Sequence, residues 1–244
     1  MESSEKLLHF LEELHDDFQP LTKKLKFDTK REPHLAIMTL YGTVLELIGS
    51  CIFLLRNKKY IGISILLRSI LEAYVDLINL MEDENYFHYL HASFLQETLK
   101  FINSAKKENN PQIEALLANW EGELEKREGI LTSLSTRGFK PLKNCDKFEK
   151  AGLEKLYITI YNHLCCESHN NLISLTKRHV KQNENKTEII FYKTSELHDS
   201  IIYIEFMINI FLDTTEKLHM FLGGSDISVL LIYKEKLAKI ATSS

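Results

Sequence analysis

The chain has 244 residues, 44% of them hydrophobic and 26% charged, with a net charge of −4. That is globular composition, enough for one large helical domain, and the low content of Gly and Pro argues against a loop-rich or all-β fold. The slight negative charge excludes a globally basic nucleic-acid binder and leaves only local basic runs.

Cys51, Cys145, Cys165 and Cys166 show no disulfide spacing, and the acidic, amphipathic N-terminus has no signal-peptide pattern. A reduced, cytoplasmic protein is expected.

Leu7, Leu8, Leu11, Leu14 and Phe18 make one stripe of a first helix, from Ser4 to about Phe18. Pro20 is expected to end it. A basic connector follows to Arg31, and residues 1–31 are expected to lie at the periphery of a single domain spanning 1–244. Pro33 fits the first turn of a second helix, running to about Asn57, with Thr39, Thr43, Glu46 and Ser50 as a polar seam. After RNKK, Tyr60 to Met81 forms a third helix.

Each of these two apolar helices is long enough to span a bilayer, for which ~20 residues suffice. Glu46, Arg68, Glu72 and Asp76 oppose insertion, at about 2.5–3.5 kcal/mol each near a membrane centre. A central antiparallel hairpin in a multi-helix bundle of about eight or nine helices is expected instead, without membrane insertion.

Tyr86 to Lys107 reads as a fourth helix. Asn110 and Pro111 open a fifth that carries Trp120, the only tryptophan. Ser135 to Lys150 reads as an irregular loop, with Arg137, Lys140 and Lys143 as phosphate contacts. Leu153 to Val180 is helical, with Ser168 to Asn171 as an interruption. Glu188 to Tyr192 is a short strand or an apolar connector. A long helix begins at Thr194 or Ser195 and ends at Gly223-Gly224; Asp226 caps a last one.

Two stretches carry candidate chemistry. In the third helix Ser64, Arg68, Glu72, Asp76 and Asn79 follow at helical spacing on one face, inside an otherwise apolar sequence. A buried Arg with five donors needs more than Glu72, and partners are expected from Glu46, Glu205 or His169. The second stretch is Tyr161 to Asn171, YNHLCCESHNN. His163, Cys165, Cys166 and His169 are zinc-ligand types, but the adjacent cysteines lack zinc-site spacing. No metal and no cofactor is expected. His169 is of a type that moves protons near neutral pH. Walker, dinucleotide-binding, zinc-protease and nucleophile-elbow motifs are absent.

Arg68, Ser69 and Glu72, followed about 90 residues on by Tyr161, Ser168 and His169, resemble the paired signature of an uncharacterised bacterial helical family. That family is similar in architecture to HEPN domains, the helical domains of ribonuclease toxins and phage-defence proteins. The resemblance implies a metal-independent endoribonuclease or nucleotide-processing protein acting in phage defence or stress response. It also implies work at a homodimer interface.

HEPN ribonucleases carry Arg and His on one helix. Arg68 has no His at that spacing, so His169 must reach it through the fold. On this reading Arg68, Glu72 and His169 are catalytic. Ser69, Tyr161, Ser168, Asn170, Arg137, Lys140 and Lys143 bind substrate. The expected partners are RNA or a nucleotide, a regulatory protein and a second copy. The alternative is a binding module in which an Arg-Glu-His network is structural. Arg68, Glu72 and His169 are expected to converge in either case.

Overall fold

The computed structural model describes residues 3–107, 121–169, 171–183, 186–191, 196–223 and 228–242. It is all-α apart from one two-stranded hairpin. The helices are α1 (Ser3–Thr22), α2 (Glu32–Arg56), α3 (Ile61–Glu82), α4 (Tyr86–Lys107), α5 (Glu121–Thr136) and α6 (Asn144–Lys150). Helix α7 starts at Glu154–Leu156, widens to a π-helical Tyr157–Tyr161 and returns to α over Asn162–Ser168. Then come α8 (Leu172–His179), β1 (Val180–Asn183), β2 (Lys186–Ile189), α9 (Ile201–Phe221) and α10 (Ser228–Thr242).

Helices α2 and α3 pack against each other along their length, and α9 packs on α3. Their buried residues include Val44, Ile48, Leu67, Leu71, Met207 and Phe211. Two buried hydroxyls cross this core: Tyr74 donates to Asp213 Oδ2 at 2.7 Å, and Tyr41 meets Thr215 at 3.1 Å. Each satisfies a group whose burial would otherwise cost stability.

Several expectations are corrected. Helix α1 is not peripheral: Leu7, Leu8, Phe10, Leu11, Leu14 and Phe18 are buried in the main core. Pro20 does not end it, because Pro20 stands in its last turn and Thr22 closes that turn by donating to the Gln19 carbonyl at 2.7 Å. The irregular stretch 135–150 contains α6, opened by the Lys143 backbone N–H donating to Asp146 Oδ2 at 3.2 Å. Val180 to Asn183 is a strand, paired antiparallel with Lys186 to Ile189. Of the stretch 188–192, read as a strand or a connector, Glu188 and Ile189 belong to that second strand, Ile190 and Phe191 follow it, and Tyr192 lies outside the described residues.

The end of α7 at Ser168 follows the sequence, and Asn171 caps α8 by accepting from the Ile173 N–H at 2.9 Å. The fifth-helix start at Asn110 and Pro111, Trp120, the Thr194 or Ser195 start and the Asp226 cap lie outside the described residues.

Helix α2 is, among the described helices, the one long and apolar enough to cross a bilayer. Ile37, Tyr41, Val44, Ile48, Cys51 and Leu55 form its buried face, and the Thr39, Thr43, Glu46 and Ser50 seam is exposed.

Candidate functional site

The polar face of α3 is divided among three neighbours. Ser64 and Asn79, at its ends, are buried. Arg68 faces the end of α7: its Nη1 lies 2.9 Å from His169 Nε2. A guanidinium has no lone pair, so Arg68 donates and the imidazole accepts. Arg68 Nε is 3.2 Å from Glu72 Oε1, an ion pair, yet it points off the hydrogen-bond direction. The guanidinium also lies over the Tyr161 ring, 5.8 Å from its centre.

Glu72 is held from the other side. The Tyr161 hydroxyl donates to Glu72 Oε1 at 2.6 Å, and Asn144 Nδ2 reaches the same oxygen at 3.4 Å and also contacts the Tyr161 hydroxyl. Burial, with the neighbouring Glu72, holds the Tyr161 phenol well above its ordinary range, against an opposing effect of Arg68. Tyr161 therefore keeps its proton and acts as a donor. Arg68 is held more firmly protonated, chiefly by the Tyr161 hydroxyl, with burial opposing and Glu72 adding to it.

The π turn is what aims Tyr161. A π turn inserts one residue into a helix and rotates the turns beyond it, and such insertions concentrate at functional sites. Here it brings Tyr157 and Tyr161 into a stack at 5.3 Å, with Phe148 of α6 4.9 Å from Tyr161. The buried Tyr161 ring thus packs on aromatics while its hydroxyl points to α3.

Asp76 forms a second, separate knot. Tyr86 donates to one oxygen at 2.6 Å and Lys147 of α6 to the other at 2.9 Å. Asn79 donates to the Lys147 carbonyl at 2.9 Å. With Asp76 and Lys147 side chains only 13% and 17% exposed, this is the more buried pair and ties α6 onto α3.

The seam as a whole is not sealed inside the protein, contrary to the sequence expectation. Arg68 and Glu72 side chains are 25% and 36% exposed, and His169 is exposed, so solvent reaches the meeting point.

The structure brings Arg68, Glu72, Tyr161 and His169 together. It does not bring Ser69, whose hydroxyl turns back to the Ile65 carbonyl, or Ser168, which donates to the Leu164 carbonyl at 2.7 Å. Arg137 packs instead against His88 and Phe139. Lys140 and Lys143 are exposed on the stretch leading to α6. Asn170 lies outside the described residues. Glu46 and Glu205 do not reach Arg68: Glu46 lines a groove of about 1040 Å³ between α1 and α2 that contains none of the Arg68 cluster. That groove has His15, Lys23 and Glu46 in its lining, but the Arg68 cluster puts a guanidinium in direct contact with an imidazole.

Sequence reading missed Asn144. Its signal was the spacing Asn144, Lys147, Phe148 and Ala151, one helical face hidden among charges. Among the described residues no group of three or more His, Cys, Asp or Glu side chains is placed to hold a metal ion.

The model of a family of unknown function, DUF5677, matches residues 34–187. The chain belongs to that family. The DUF5677 match covers Arg68, Glu72, Asn144, Tyr161 and His169, while α1, α9 and α10 lie beyond it. No curated protein and no solved structure matches the chain.

Proposed function

We propose that this chain is a HEPN-like, metal-independent endoribonuclease or nucleotide-processing protein. The contact that supports the reading is Arg68 Nη1 to His169 Nε2 at 2.9 Å, at a solvent-reached position. It pairs the two functional groups that phosphodiester cleavage needs. Arg68 forms an ion pair with Glu72 and donates from Nη1 to His169, and its guanidinium N–H groups would hold a phosphate and stabilise developing charge. His169, accepting at Nε2, carries its own proton on Nδ1. An arriving phosphate draws the Arg68 N–H away and frees the Nε2 lone pair. Nε2 takes the proton of the ribose 2′-hydroxyl as its oxygen bonds to phosphorus, the bond from phosphorus to the 5′-oxygen breaks, and the imidazolium gives that proton to the leaving 5′-oxygen. Glu72 positions Arg68, and Tyr161 and Asn144 position Glu72.

A homodimer belongs to this proposal. Leu172 and Ile173, just beyond the His169 turn, are each 78% exposed, which suits cover by a second copy. A role in phage defence or stress response rests on the family resemblance alone.

The alternative is a binding module in which the network is structural. The contacts of Glu72 with Tyr161 and Asn144 favour it, since both tie α3 to neighbouring helices. The discriminating experiment incubates purified protein with total RNA, tRNA and nucleotides in the presence of a chelator. The proposal expects RNA fragments ending in cyclic phosphate, or altered nucleotide, lost in His169→Ala. Intact substrates under every condition, with and without infected-cell extract, favour the binding module.

A further inference from the structure

The chain has six arginines. Five have a carboxylate at ion-pair distance: Arg31 with Glu84, Arg56 with Glu5 and Glu12, Arg68 with Glu72, Arg127 with Glu123 and Arg178 with Glu167. Arg137 has none among the described residues. Its Nη2 donates to His88 Nε2 at 3.3 Å, and its guanidinium lies over the Phe139 ring at 5.2 Å. Most of its five N–H donors are therefore unspent, although the imidazole and the ring fix its position.

Arg137 is at the rim of a groove of about 420 Å³ between α4 and α5, lined also by Lys126, His88, His91, Phe87 and Glu32. Lys126, too, has no carboxylate partner among the described residues. Glu32 is the one acid in the lining. Burial, then the positive neighbours Arg137 and His91, hold the His88 imidazole below its ordinary range, with Glu32 and Asp83 opposing. The groove thus has a net positive field, set by two cations that have no carboxylate at ion-pair distance among the described residues.

We propose that this groove binds the phosphate group of a small phosphorylated ligand. Arg137 supplies the bidentate fork, and Lys126, about three turns back along α5, adds a second positive charge farther along the groove. A phosphate monoester suits that fork and field better than a carboxylate does, because it brings close to two negative charges and three acceptor oxygens. Phe87 lines the groove, so a planar base attached to the phosphate has a ring to stack on. The ligand is inorganic phosphate or the terminal phosphate of a nucleotide. The site shares no residue with the Arg68 cluster, so its failure leaves the Arg68 reading untouched.

The test is calorimetric titration of the full chain with orthophosphate and, separately, ADP, beside NMR titration of the histidine imidazoles. Saturable binding of either probe is expected. Arg137→Gln weakens it by about tenfold or more at unchanged melting temperature, Lys126→Gln weakens it less, and the bound phosphate raises the pH at which His88 titrates. Arg137→Lys falls between wild type and Arg137→Gln, because the charge stays and the fork is lost. Tighter binding of ADP than of orthophosphate identifies a nucleotide site, and equal binding a phosphate site; both support the proposal. Absence of binding by both probes overturns it, as does binding that Arg137→Gln leaves unchanged or a His88 titration that does not move.

Discussion

Arg68 Nη1 and His169 Nε2 lie 2.9 Å apart, although 101 positions separate the two residues in the chain. The guanidinium can only donate, so the contact fixes His169 in the form that carries its proton on Nδ1. Nitrogen NMR of the wild type at neutral pH is expected to show the Nδ1–H tautomer. Arg68→Gln is expected to shift the population toward Nε2–H, the form favoured in free imidazole side chains. An Nε2–H signal in the wild type would contradict the contact.

The ion pair of Arg68 with Glu72 should contribute little to stability. If the seam were buried, removing Arg68 would strand a carboxylate and cost about 3–5 kcal/mol. Glu72 is 36% exposed and keeps Tyr161 and Asn144, so Arg68→Ala is expected to cost only about 1 kcal/mol. For a chain of this size that is a fall in melting temperature of about 2–4 °C. A fall several times larger would make the network structural.

Asp76 should behave in the opposite way. Its carboxylate and Lys147 are both largely buried, and Tyr86 completes the knot. Asp76→Ala leaves a buried ammonium and a phenol without their acceptor, so a loss of about 3–5 kcal/mol is expected in urea unfolding. Lys147→Met restores an apolar stem but orphans the Asp76 oxygen, and should also be strongly destabilising. Near-neutral results for both would show that water replaces these partners.

Alkaline pH should unfold the protein through its tyrosines. Burial pushes the Tyr41 phenol up to about 12, and raises Tyr74, Tyr86 and Tyr233, each further held up by a carboxylate partner. Tyr161 behaves alike through burial and Glu72. Folded values above the unfolded one of about 10 mean that stability from these groups is fully present below pH about 10 and is lost as pH rises through the folded values. The urea midpoint is expected to fall between pH about 10 and 12, in step with phenolate absorbance. A midpoint constant over that window would show that the tyrosines ionise freely while folded.

The all-α class was legible because long apolar runs at helical spacing leave no other way to bury themselves, and Arg68, Glu72, Asp76 and Asn79 stood out as polar groups within one. Their shares of the site were not legible. Which of Glu46, Glu205 or His169 met Arg68 depended on where α7 packs, a tertiary fact. The π turn that aims Tyr161 has no sequence signature in YITIY. Helix α6 was hidden because Pro141 and the charges around it read as a loop, while the fold uses Asn144, Lys147 and Phe148 as its inner face. Exposure of the seam was misjudged because the apolar neighbours of Arg68 and Glu72 on α3 pack sideways, on α2 and α9, and leave that stripe at the edge of the core.

The central claim is that Arg68 and His169 act together on a phosphodiester. It is tested most directly by single-turnover cleavage of labelled RNA by wild type, His169→Ala and Arg68→Gln, with melting temperatures measured on the same preparations. The account predicts wild-type cleavage without metal, a loss of about 10²–10⁴-fold in either variant, and melting temperatures within a few degrees of wild type. Cleavage by His169→Ala at the wild-type rate, or no cleavage by any of the three, would contradict it.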